Sequence, residues 1–98
     1  METPDVVRLL GSEVVINKRP IVIVENESVL GTYLESKTEI QIRNNLSPSA
    51  QRNTVLHELI HAILQEYEQD SEELVRILTP ALLAMLRDNP ALVEFLTT

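Results

Sequence analysis

The apolar period of this chain changes once, at Ser47-Pro48, and that single change limits it to a narrow set of folds. Before it, residues 14–43 are rich in β-branched side chains broken by turn signals. After it, apolar residues recur at three- and four-residue spacing. Strands segregated from helices in this way predict an α+β domain rather than an alternating α/β one. Ninety-eight residues suffice for one such domain and leave no room for a second, so the whole chain, 1–98, reads as a single unit.

Individual elements follow from local signals. Pro4 to Leu10, with Asp5 near its start and Gly11 just after it, fits a short helix. Val14-Val15-Ile16 and Ile21-Val22-Ile23-Val24 read as two strands separated by a turn at Asn17-Lys18-Arg19-Pro20, and a third strand falls near Val29–Leu34. Strict alternation in Glu39-Ile40-Gln41-Ile42-Arg43 gives the clearest strand, with Ile40 and Ile42 on its buried face. Ser47 caps and Pro48 opens a helix to about Tyr67, buried through Val55, Leu56, Leu59, Ile60, Ile63 and Leu64. Asp70 or Ser71 caps the next helix, which must kink at Pro80 or restart there with Thr79 as cap; Asn89-Pro90 breaks the chain before a last short helix.

Composition excludes several functions. A net charge of −7 repels phosphate backbones and anionic membranes, so neither nucleic acid nor membrane is an expected partner. Lys18, Arg19 and Arg43 are too few to form a basic patch. With no cysteine there are no disulfides, thiolate metal sites or cysteine nucleophiles. The start of the chain lacks the basic and apolar regions of a signal peptide, and no apolar run approaches the length of a membrane span. Cytoplasm is the expected location.

The chemistry concentrates in His57-Glu58-Leu59-Ile60-His61, an H-E-x-x-H on the amphipathic helix. Residues four apart stack on one helix face, so both imidazoles, the only two in the chain, converge on one ion, here expected to be Zn²⁺. Glu58, rotated by about 100° around the helix, falls beside the ion, where it can deprotonate a water and serve as general base.

A catalytic zinc takes three protein ligands and an open position. With no further His and no Cys, the third must be a carboxylate. Glu66 and Glu68 lie too close along the same helix to fold back, and Asp70 reads as a turn residue. Glu72 and Glu73 open the following helix, which a short loop returns beside the first. Glu72 shares a mostly apolar face with Val75, Thr79, Leu82 and Leu86 and is favoured; Glu73, on the face of Arg76 and Arg87, is the alternative.

Thr54 to Ile63 followed by Glu72-Glu73-Leu74-Val75 resembles the gluzincin-type zinc metallopeptidases, and in particular small phage and prophage proteins related to the ImmA/IrrE metallo-endopeptidases. The resemblance spans about residues 30–96 and extends to the Glu39–Arg43 strand and to Leu86-Arg87-Asp88-Asn89-Pro90. It implies a minimal zincin-like domain in which a small N-terminal sheet packs on the H-E-x-x-H helix and a helical hairpin. It further implies zinc, His57 and His61 as ligands, Glu58 as general base, Glu72 as third ligand, and a peptide or protein as substrate or partner, met in a host cytoplasm if the gene is phage-borne. Two departures stand out. The position four after Glu72, where larger gluzincins carry an Asp that orients a histidine, is Arg76. No further His is available to stabilise an oxyanion, which leaves that role to Tyr67 or Tyr33. An accessory protein that binds zinc without turnover is the alternative function. The strand around Ile40 and Ile42 reads as an edge strand that could bind an extended peptide by strand addition.

Overall fold

The computed structural model describes residues 2–98. Its order is β1 (Val6–Leu9), β2 (Ser12–Arg19), β3 (Ile23–Val24), β4 (Glu27–Ser28), β5 (Gly31–Leu34), a 3₁₀ turn at Glu35–Lys37, β6 (Glu39–Arg43), α1 (Pro48–Glu66), α2 (Glu72–Asp88) and α3 (Pro90–Thr97). This is the α+β arrangement expected from the change of period at Ser47-Pro48.

Four strands form one sheet in the order β1-β2-β6-β5, with β6 parallel to β2 and antiparallel to β5. Val14, Ile16, Ile40 and Ile42 interlock on its inner face, and Val55 and Leu59 of α1 pack onto them. One helix thus covers the sheet, and the same helix lies against α2, which in turn carries α3.

Three expectations for the N-terminal half are corrected. Val6–Leu9 is a strand, not a helix, and pairs antiparallel with β2 in the register Val6↔Val15 to Leu9↔Ser12. The glycine that reads as a helix stop is a hairpin turn: Leu10 and Gly11 have φ of 50° and 83°, and consecutive positive φ values match the twist of a tight hairpin. Asn17 and Lys18 do not turn; they continue β2 opposite Gln41 and Ile42, and the Asn17 amide donates to the Glu39 carboxylate. Of Ile21–Val24, only Ile23 and Val24 form a strand, in a separate small hairpin with β4 across Glu25-Asn26, whose φ values are also positive.

A fourth correction bears on function. Strand β6 is central, flanked by β2 and β5, so Ile40 and Ile42 do not lie on an edge. Alternation reveals which face of a strand is buried, not whether its hydrogen-bonding edges are free. The free edge beside α1 belongs to β5.

The helices match the sequence more closely. Ser47 Oγ accepts the Ala50 N–H at 3.2 Å with Pro48 in the first turn, and Ser71 Oγ accepts the Leu74 N–H at 3.3 Å. Pro80 neither ends nor restarts α2, which runs through it; Thr79 is buried, with its hydroxyl donating to the Val75 carbonyl at 2.7 Å.

Candidate metal centre

The site is assembled from α1, the start of α2 and the edge of β5. His57 and His61, one turn apart on α1, have ring centroids 4.9 Å apart. Glu72, in the first turn of α2, reaches both: Oε1 is 3.1 Å from His57 Nε2 and Oε2 is 2.7 Å from His61 Nε2. One donor atom from each of these three residues lies within 4.8 Å of the other two. Glu73, the alternative third ligand, is exposed and outside this group.

This donor set suits a divalent metal. Two neutral imidazole nitrogens and one carboxylate oxygen are the ligands of open hydrolytic zinc sites, where bonds of about 2.0–2.1 Å hold ligands roughly 3.4 Å apart. The distances here need only a small expansion to match. The same set also serves other first-row metals, so the donors speak for a metal ion more strongly than for which one.

Glu58 lies between the sheet and the histidines. It is 8% exposed, and its Oε2 is 3.9 Å from His57 Nε2. Burial pushes its carboxyl up to about 7; the nearby Glu72 and Asp70 charges add to this, while His61 and a backbone hydrogen bond from the Tyr33 N–H oppose it. The Tyr33 contact is possible because β5 has one unpaired edge and α1 comes very close to it. That approach depends on Gly31, where a Cβ would fall 2.6 Å from Thr54 Cγ2 and 3.0 Å from the Gln41 carbonyl oxygen.

The two histidines differ. Burial holds His57 below the usual imidazole value against the pull of Glu72. Burial also opposes charge on His61, but hydrogen bonds to Asp70 and Glu72 outweigh it and hold that ring above the usual value. Asp70 Oδ1 is 2.7 Å from His61 Nδ1. Asp70, read from the sequence as a turn residue, therefore touches a candidate ligand, while Ser71 alone caps α2.

His57, Glu58, His61 and Glu72 line an open cleft of about 710 Å³, together with Val24, Val29 and Leu30 and with Arg76, Thr79 and Pro80. Neither tyrosine is among its lining residues. Tyr67 is at the C-terminal cap of α1, 64% exposed, and the Tyr33 side chain packs against the sheet core.

No helix among the described residues is long and apolar enough to cross a membrane. Neither a curated protein nor a solved structure matches the chain. A family model does: Peptidase_M78, described as the IrrE N-terminal-like domain, matches residues 12–82, which take in β2, β5 and β6 of the sheet, the whole of α1 and the first turn of α2 with Glu72. With so much of its length matched and its histidines and glutamate gathered at one point, the chain belongs to the Peptidase_M78 family of IrrE N-terminal-like domains.

Proposed function

We propose that this protein is a zinc-dependent peptidase in which His57, His61 and Glu72 hold the ion and Glu58 moves the proton. The observation that carries this reading is the convergence of three ligand atoms within 4.8 Å beside a buried carboxyl, at the floor of a cleft. Zinc, when bound, would supply Lewis-acid polarisation of the scissile carbonyl and lower the pKa of water toward ~7.

The chain's own residues provide the rest. Glu58, buried with Oε2 3.9 Å from His57 Nε2, is placed to accept a proton from water and to return it to a leaving amine. Gly31 and Thr32 bring the free edge of β5 to the cleft, where an extended peptide can pair by strand addition and lie across the histidines.

One observation favours a second reading, metal-dependent binding without turnover. With both tyrosines away from the cleft, Arg76 is the sole Lys or Arg among its lining residues available to meet a developing oxyanion.

Two measurements test these readings together. Elemental analysis of protein purified without chelator should give one zinc per chain, and Glu58→Gln should keep that zinc while lowering hydrolysis of a peptide library by at least ~10²-fold. A biological activity that survives Glu58→Gln would overturn turnover; absence of zinc would overturn the centre itself.

A further inference from the structure

The connection between α1 and α2 does more than reverse the chain. Glu68 adopts φ of 55°, and the Gln69 N–H returns to the Leu64 carbonyl at 2.9 Å, which closes the end of α1 and folds residue 70 back over its last turn. Asp70 consequently meets His61 at Nδ1, while Glu72, two residues later, meets the same ring at Nε2. The second Asp70 oxygen is also held: Gln65 Nε2 donates to Oδ2 at 3.2 Å. His61 is thus gripped at both ring nitrogens by carboxylates from one short segment.

A carboxylate only accepts hydrogen bonds, so in the metal-free chain the two 2.7 Å contacts place a proton on each ring nitrogen of His61, Nδ1 donating to Asp70 and Nε2 to Glu72. A metal at the His57, His61 and Glu72 cluster would replace the Nε2 proton and leave the Nδ1 proton held by Asp70. We propose that Asp70 is a positioning residue of the metal centre, fixing the tautomer and ring orientation of His61 so that Nε2 is presented to the ion. The proposal rests on the metal-centre reading above. It also answers a departure in the sequence: the position four after Glu72 is Arg76, and the orienting carboxylate comes instead from the loop, two residues before Glu72. Buttressing of this kind raises ligand basicity and removes the freedom of the ring to rotate before metal binds.

The test uses the full chain with zinc as probe. Zinc affinity by chelator competition should fall roughly 10–100-fold in Asp70→Asn and Asp70→Ala. Glu73→Gln, which removes an equal charge from a neighbouring exposed site, should stay within a factor of ~3 of wild type. In ¹⁵N NMR of the zinc-loaded protein, wild type should show a protected Nδ1 proton on His61 that Asp70→Ala loses. Gln65→Ala, which frees the second oxygen of Asp70, should weaken binding in the same direction and by less, and it serves as the test should the Asp70 variants fail to fold. Unchanged affinity in folded Asp70 variants, or an equal loss in Glu73→Gln, overturns the role of Asp70 while leaving the centre intact. Wild-type protein that takes up no zinc overturns both.

Discussion

At the scale of the residue, Glu58 shows the conflict between stability and chemistry. A carboxyl with an ordinary value of 4.5 is held at about 7 in the fold, so its ionised form is disfavoured in the metal-free protein. Shifting a buried carboxyl this far corresponds to ~3 kcal/mol against the charged state. The folded value is raised, so the native state binds the proton more tightly than the unfolded chain. The stability contribution is therefore greatest below about 4.5, falls as pH rises from 4.5 toward 7, and is flat above. Glu58→Gln removes that loss. Metal-free Glu58→Gln should melt several degrees above wild type at pH 8, with the difference shrinking as pH falls toward 4.5; a constant or reversed difference would contradict the account. His61, whose folded value is raised, stabilises below its ordinary value and loses that contribution as pH rises past the folded one; the Asp70 and Glu72 hydrogen bonds that raise it remain in Glu58→Gln, while the smaller pull of the Glu58 charge is lost. His57, Glu58 and His61 were legible in the sequence because helical spacing alone places two of them together and the third alongside. Asp70 was not, because its contact depends on the left-handed turn at Glu68, which a glutamate does not advertise.

At the scale of the element, strand β5 joins the sheet to the site, and Gly31 sets how closely it approaches α1. The Cβ of an alanine would meet Thr54 Cγ2 at 2.6 Å, the Gln41 carbonyl at 3.0 Å and Ile42 Cγ2 at 3.2 Å. Backbone and core isoleucine cannot give way easily, so Gly31→Ala should cost about 1–3 kcal/mol in denaturant unfolding. Thr54→Ser removes the nearest obstacle. In that background the cost should fall by at least ~0.5 kcal/mol, and strict additivity would show that Thr54 is not the limiting contact. The helices and β6 were readable because caps, periods and alternation agreed. The first strand was not: a glycine after a short apolar run fits a helix stop and a hairpin turn equally well, and the β-branched Val6-Val7 pair was the discriminating signal. Nor could alternation in β6 reveal that both of its edges are occupied, since strand order is set by pairing partners far apart in the chain.

At the scale of the whole molecule, the protein is a sheet and a helical hairpin sharing one helix. Val14, Ile16, Ile40 and Ile42 anchor the sheet side of α1, while α2 contributes the fully buried Val75 and Thr79. Two of the three candidate ligands come from α1 and one from α2, so a metal bound there would tie together the two helices of the hairpin. The general plan, strands first and a helical hairpin carrying the candidate ligands second, was visible in the sequence. The parallel pairing of β2 with β6 was not, because it brings together segments separated by an entire hairpin and an edge strand.

The segment from Tyr67 to Ser71 has a consequence for how this protein tolerates change. Surface connections ordinarily absorb insertions at little cost. Here the connection acts as a ruler whose marks at 70 and 72 must fall on opposite sides of one imidazole. A single glycine inserted between Glu68 and Gln69 should leave the circular dichroism of the helices intact yet lower zinc affinity by more than ~10-fold. The same insertion at the Glu25-Asn26 tip should leave affinity near wild type, and equal losses at both positions would refute the ruler. Substitutions along most of this segment are thus permitted where a change in its length is not.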